Sequence, residues 1–338
     1  MKFAPSLAEW PADGAPSAVT IGVFDGVHRG HQALLRLLLD RARSMGLRSV
    51  ALTFDRHPRP ADAVGVLEEQ ITSLQEKREL LEEAGIDGCA VIPVDEGLLD
   101  LEADEFVKRF LVQRLNTRLV VVGYDFRFGR GRRGDFQLLR SLGSEYGYTV
   151  LQAPAVLIDG APVKSTRIRD CLRQGDLPGA AAMLGRLYRV VGEVSQGDRQ
   201  GSKLGFPTIN LRYPPEKLLP TPGVYAGLCR VGAQNWPAAI NLGVRPTMRS
   251  PSPDSLSGSD QRPVLEAHLI GFEGNLYGQI VRLEFAERLR EEKRFESLEA
   301  LKEQIRRDVD ETARRYSHHG GWMVWPDDPP HVAPAIAG

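Results

Sequence analysis

Cysteine is scarce in this chain: three in 338 residues, Cys89, Cys171 and Cys229, far apart and odd in number. That excludes a disulfide framework and a cysteine-built zinc site, and a reducing cytoplasm is the expected setting. Net charge is nearly absent too. The 43 Lys and Arg against 44 Asp and Glu leave −1, so no overall field draws the chain to a polyanion, and no nucleic-acid partner is expected. No uninterrupted apolar run approaches membrane-spanning length. The opening MKFAPSLAEWPADGAPSA holds one Lys, an early Pro and no apolar leader core, so neither an export signal nor a membrane partner is expected.

What is present is an ordinary globular composition, 42% hydrophobic and 26% charged, on a chain long enough for two cores. From Ala18 to about Leu184, short apolar runs alternate with helical patterns. The runs Ala18 to Phe24, Ser49 to Phe54, Cys89 to Pro93, Leu119 to Val122 and Thr149 to Pro154 read as strands buried on both faces. Helices are predicted at Gln32 to Met45, Thr72 to Ala84, Ala103 to Leu115 and Phe136 to Tyr146, with Thr72 and Gln75 as a capping box. Strand, crossover helix, strand in repetition predicts an α/β doubly wound parallel sheet.

Ligands of such sheets sit beyond the strands' carboxyl ends. There the sequence places GVFDGVHRGH (Gly22 to His31), TFDRHPRP and GYDFRFGRGRRGD. The first loop, with Gly22, Phe24, Asp25, Gly26 and Gly30, reads as a phosphate cradle opening a helix, and His28 and His31 as hydrogen-bond donors to charge developing on the phosphate. A metal site is the rival reading of the histidine pair. Arg127, Arg130, Arg132 and Arg133 read as phosphate contacts in the same cleft, as a solvated charge run, or as an RNA-binding patch. In KSTRIR, Ser165 or Thr166 serves as a helix N-cap, and Arg169 as a second clamp on a triphosphate.

After Leu184 the pattern changes to short β-rich runs punctuated by Gly and Pro: Tyr188 to Val194, Val224 to Val231, Ala238 to Leu242, Val264 to Ile270 and Ile280 to Phe285. They predict a small antiparallel barrel. A final helix, N-capped by Ser297 and running to about Tyr316, would pack on it through Leu298, Leu301, Ile305 and Val309. Arg249 to Pro263, rich in Ser, Pro and Asp, reads as a loop, and so does the tail from Ser317. In GDRQGSKLGFPTIN, Gly197, Gly201 and Gly205 around Lys203 make a basic flap suited to closing over phosphates. Thr208 and Asn210, two apart, share a face and present oxygens to a magnesium ion and a phosphate. Glu266, the one acidic residue of the apolar LEAHLI, is either an edge-facing carboxylate or a general base for a hydroxyl nucleophile.

GVFDGVHRGH, TFDRHP, VGYDFRFG and STRIR, followed by LGFPTIN, GVYAG, NLGVRPT, LEAHLIGFEGNLYG and LREEKRFESLEAL, together resemble the bifunctional bacterial riboflavin kinases/FMN adenylyltransferases, or FAD synthetases, over about Val19 to Tyr316. The resemblance implies an adenylyltransferase domain at 1–185, a flavokinase barrel at 186–316 and a tail at 317–338 outside it. ATP with magnesium, riboflavin, FMN and FAD are the implied ligands. Glu266 matches the kinase base, Thr208 and Asn210 the Mg-ATP ligands, and Arg290 and Phe295 the region near riboflavin. His28 and His31 match the transition-state donors of adenylyl transfer, and Asp125, Ser165, Thr166 and Arg169 the nucleotide pocket. Phe54, His57 and Phe128 match the flavin region. Lys164 and Ile209 depart from the commoner Ser and Ala, Asp125 stands where some members have Asn, and Lys164 is the departure that bears on phosphate affinity. Two other readings stand beside this one: a nucleotidyltransferase for another phosphorylated acceptor with a binding barrel, and an RNA-binding regulator.

Overall fold

A computed structural model describes residues 1–11, 13–58, 69–197, 201, 204–243 and 263–318. Lys203, nearly all of the Arg249 to Pro263 segment and residues 319–338, with Trp322 and Trp325, lie outside the described residues. Among the described residues the chain forms two compact units, one of Met1–Ser165 and one from Thr166 onward.

In the first unit, strands β1 (Lys2–Ala4), β2 (Ser17–Ile21), β3 (Arg48–Phe54), β4 (Gly88–Ile92), β5 (Thr117–Gly123) and β6 (Thr149–Ala153) form one parallel sheet in the order β1-β4-β3-β2-β5-β6. Both β2 and β4 are buried at every residue, which is why their sequences run apolar instead of alternating. Successive side chains enter different cores. Val19, Ile21, Val50, Leu52, Val120 and Val122 join Phe106, Leu111 and Leu139 on one face. Ala18, Ala51, Leu119 and Val121 join Leu34, Leu35, Leu38 and Leu81 on the other. Helices α1 (Arg29–Met45) and α2 (Leu74–Glu83) therefore cover one face, and α4 (Ala103–Phe106), which follows the single turn α3 (Glu96–Leu99), and α5 (Phe136–Tyr146) cover the other. Each fully buried leucine in these cores contributes about 1.5–3 kcal/mol.

The strand order reverses beside β2, because β3 and β4 extend the sheet one way and β5 and β6 the other. The loop after β2 thus opens at the topological switch point, where such sheets bind ligands.

Local details depart from the sequence expectation. The short edge strand β1 has too few residues to show a period. The capping box of α2 is Ser73 with Glu76, whose side chain accepts from the Ser73 N–H at 3.0 Å while the Glu76 N–H donates to Ser73 Oγ at 3.2 Å. Thr72, expected in that role, is engaged with the β2 loop instead. The helix expected at Ala103 to Leu115 begins as α4 and runs on as a π-helical segment, Val107–Arg114, closed by Leu115 N–H donating to Phe110 O at 3.2 Å.

The second unit opens with α6 (Ser165–Gln174) and α7 (Leu177–Leu184) and continues as a closed barrel of six antiparallel strands. These are β9 (Tyr188–Ser195), β10 (Ile209–Arg212), β11 (Gly223–Val231), β12 (Gln234–Gly243), β13 (Val264–Leu269) and β14 (Ile280–Arg290), numbered after a two-strand ribbon of the first unit, β7 (Leu157–Ile158) and β8 (Ala161–Pro162). Closure removes the sheet edges. The rings of Tyr188, Tyr225 and Phe285 fill its interior, with Tyr225 edge-on to Phe285 at 5.3 Å.

The last helix, α8 (Leu298–His318), follows the Ser297 cap, whose hydroxyl accepts from the Ala300 N–H at 3.1 Å. Of the expected face, Leu301, Ile305 and Val309 are half-buried. Leu298 is 67% exposed, and the most buried positions are Asp308 and Thr312. Asp308 accepts a bidentate pair from Arg290, Nη2 to Oδ2 at 2.7 Å and Nε to Oδ1 at 3.1 Å, and a bond from Gln304 at 2.9 Å. The helix is therefore anchored by a nearly buried ion pair. Asp308→Ala, which strands the Arg290 guanidinium, is expected to destabilise the barrel unit by about 3–5 kcal/mol, read as a lowered denaturation midpoint.

Candidate functional site

The loop after β2 is built under backbone strain. Phe24 and Val27 hold φ of +52° and +38°, beside Gly26 at +84°. For a β-branched residue such as Val27 this region costs on the order of 1–3 kcal/mol, so neighbours must impose it. Asp25, buried, accepts from the Thr72 N–H (3.0 Å) and hydroxyl (3.3 Å), and the Gly26 N–H donates to Thr72 Oγ1 (2.9 Å). Gln32 Nε2 donates to Val27 O at 2.9 Å, and the Ser165 hydroxyl donates to Asp25 O at 2.9 Å. Asp25 is thus the loop's internal clamp. Ser165, expected as a cap, is the first residue of α6 and spends its hydroxyl on this loop.

His28 caps α1: its Nδ1 accepts from the His31 N–H at 3.4 Å. An accepting Nδ1 leaves Nε2 as the nitrogen that carries the proton of a neutral ring. The two imidazoles stack with centroids 3.7 Å apart and planes 15° from parallel, and Phe24 meets His31 edge-on at 5.2 Å. A β-carbon at position 30 would crowd the His28 ring at 3.1 Å.

Both histidines line a cleft of about 220 Å³ closed by Tyr124 and Asp125 after β5, by Ala153 to Val156 after β6, and by Lys164 and Ser165. Lys164 Nζ lies 3.3 Å from Asp125 Oδ2. Phe54, His57 and Phe128 do not line it. Phe54 and Phe128 are core residues, and Phe128 stacks on Phe126 at 5.4 Å and pairs with Gly134 across a tight hairpin. Two of the four loop arginines are engaged locally, Arg127 with Asp135 at 2.9 Å and Arg130 with Glu102. Thr166 and Arg169 stand on α6 in the second unit. Among the described residues no group of three or more His, Cys, Asp or Glu comes together as a metal site, and the histidine pair gains no third ligand.

On the barrel, register assembles a second site. Ser195, Asn210, Glu266 and Asn241 are successive Cα partners across β9, β10, β13 and β12. The next row, Leu211, Leu265 and Leu242, is buried inside, so by alternation the polar row faces outward. Asn210 and Glu266 are thus directly opposed, one strand apart.

The Gly-rich segment lies against this row. A β-carbon on Gly197 would overlap the Asn210 amide, and one on Gly201 would overlap the Phe206 carbonyl and approach Thr208 Oγ1 to 3.1 Å. Gly205, at φ +88°, makes the turn between them. His268 Nδ1 donates to Pro207 O at 2.8 Å, holding the chain just ahead of Thr208. Arg290 and Phe295 lie together, guanidinium to ring centroid 5.9 Å. Asn241 and Tyr124 join these sites without a local sequence signal: Asn241 reaches the row only through strand register, and Tyr124 lies beside Asp125 in the cleft wall.

The two units are an α/β unit whose cleft holds the His28–His31 pair and a closed β-barrel that carries the Asn210–Glu266 row. The FAD synthetase family profile matches residues 11–167 and the riboflavin kinase profile residues 184–316. The bifunctional riboflavin kinase/FMN adenylyltransferase of Pseudomonas fluorescens is 39% identical over 294 residues, 86% of this chain and 90% of the relative. That of Escherichia coli K12 is 35% identical over 312 residues, 92% and 95%. A crystal structure of a macrolide-efflux protein from Streptococcus pneumoniae superimposes with a TM-score of 0.79 at 25% identity, covering 93% of this chain and 99% of that one. The chain belongs to the bifunctional riboflavin kinase/FMN adenylyltransferase family.

Proposed function

We propose that this chain makes FAD from riboflavin in two ATP-dependent steps, one at each site. The observation that carries the reading is the opposition of Asn210 and Glu266 on the barrel in a chain that also bears the His28–His31 cleft. The chain is an enzyme of flavin synthesis, both a kinase and a nucleotidyltransferase, and the division of labour follows residues 186–316 and 1–185.

In the kinase step, Glu266 takes the proton of the riboflavin 5′-hydroxyl as its oxygen attacks the γ-phosphorus of ATP, the bond to the β,γ-bridging oxygen breaks and ADP leaves. Thr208 and Asn210 offer neutral, hard oxygens suited to magnesium carried on the nucleotide. Bound there, the ion neutralises phosphate charge. Gly197, Gly201 and Gly205 let the backbone approach the phosphates, and Lys203 is assigned to them from the sequence alone. Arg290, fixed by Asp308, holds Phe295 in place beside riboflavin.

In the adenylyl step, a phosphate oxygen of FMN attacks the α-phosphorus of a second ATP and pyrophosphate leaves. His28 and His31 donate to the charge that builds on the phosphate, with the loop from Gly22 to Gly30 shaping the approach and Asp125, Ser165, Thr166 and Arg169 lining the nucleotide. Phe54, His57 and Phe128 support the flavin region. The ligands are small molecules, with no nucleic acid and no membrane involved. No helix among the described residues is long and apolar enough to cross a membrane, and the three cysteines are free thiols. Purified protein given riboflavin and MgATP should yield FMN and then FAD by chromatography. Absence of both would overturn this reading.

A further inference from the structure

The charge balance of the cleft carries more than the two-step reading uses. Asp125 places a carboxylate on the wall that also holds His28 and His31. A nucleotide's phosphates brought beside that carboxylate meet a like charge in a partly desolvated cleft, and the repulsion opposes binding. Lys164 lies on the same wall. Its Nζ is 3.3 Å from Asp125 Oδ2 and 5.6 Å from the centroid of the Tyr124 ring.

The backbone that carries the pair is held on both sides. The Val163 N–H donates to Val156 O at 2.9 Å, the Ser165 hydroxyl donates to Asp25 O at 2.9 Å, and Gln152 Nε2 donates to Tyr124 O at 3.2 Å. The side chains of Lys164 and Asp125 remain about half exposed, at 49% and 58%, so a ligand reaches them. Tyr124 first, and Asp125 after it, hold the Lys164 ammonium above its ordinary range, and it stays cationic throughout neutral pH.

We propose that Lys164 is the counter-cation of Asp125, cancelling that carboxylate so that the phosphates of a nucleoside triphosphate can enter the cleft beside His28 and His31. The inference rests on the adenylyl-transfer reading above. Lys164 then governs nucleotide affinity, not the rate of phosphorus transfer. Its removal changes the charge of the pair from zero to −1, and the loss should be coupled to Asp125.

The test is steady-state conversion of FMN and ATP to FAD by the full chain, with riboflavin phosphorylation as internal control. Lys164→Ser is expected to raise the KM for ATP in FAD formation roughly ten- to a hundredfold, the range of a lost charged contact. The maximal rate and the kinase reaction should stay near wild type. Adding Asp125→Asn to Lys164→Ser should restore most of the KM, because the uncompensated carboxylate is then gone, and added salt should shrink the single-variant defect. If Lys164→Ser keeps the wild-type KM, or if Asp125→Asn fails to rescue it, the inference is overturned. Wild-type protein that forms no FAD at all points instead to failure of the underlying reading.

Discussion

Glu266→Gln should stop FMN formation and leave FMN-to-FAD conversion intact. Glutamine keeps the size and hydrogen-bonding capacity of the side chain between Asn210 and Asn241, so the row and the barrel beneath it persist. What it cannot do is accept the proton of the riboflavin 5′-hydroxyl. Loss of a positioned general base costs about 10²–10⁴ in rate, and the fall should appear in kcat with KM for both substrates little changed. The control is FMN supplied directly with MgATP, which should give FAD at the wild-type rate. A Glu266→Gln variant that retains more than about a tenth of the kinase rate, below even the smallest cost of losing a base, would show that the carboxylate is only an outward-facing edge residue.

His31→Ala should do the reverse. The imidazole stacks on His28 at 3.7 Å at the N-terminus of α1 and lines the cleft where the α-phosphorus of ATP would lie. Removing one donor to a developing oxyanion costs about 10²–10³ in kcat, about 3–4 kcal/mol of barrier. His31 is a cleaner probe than His28, whose ring also caps α1, so that His28→Ala mixes a lost cap of about 1 kcal/mol with any catalytic effect. Pyrophosphate release with FMN and ATP reads the reaction, and riboflavin phosphorylation serves as control. His31→Asn keeps a donor and should recover part of the rate. FAD formation within about threefold of wild type in His31→Ala, far short of a lost donor's effect, would remove the histidine from the mechanism.

Much of this was legible in the chain because the informative signals are local. Strands buried on both faces read as continuous apolar runs, and the phosphate loop and its histidines sit within ten residues. What was not legible depends on contacts between distant segments. The row Ser195, Asn210, Glu266 and Asn241 exists only once β9 closes on β10. Thr72–Gln75 and Ser73–Glu76 satisfy the same capping pattern, and only the demand of Asp25 and Gly26 for the Thr72 hydroxyl decides between them. Likewise, α8 turns Asp308 inward because Arg290 waits there, a pairing that no hydrophobic period records.

The bond from the Ser165 hydroxyl to the Asp25 carbonyl spans 140 positions of sequence. During synthesis the phosphate loop emerges early, yet its last clamp emerges with the final residue of the first unit. At roughly 5–20 residues per second, that residue trails the loop by about 7 to 28 seconds. A nascent chain cut between residues 31 and 165 thus carries both histidines and lacks a wall of their cleft, and adenylyl transfer should switch on abruptly with chain length as that wall arrives.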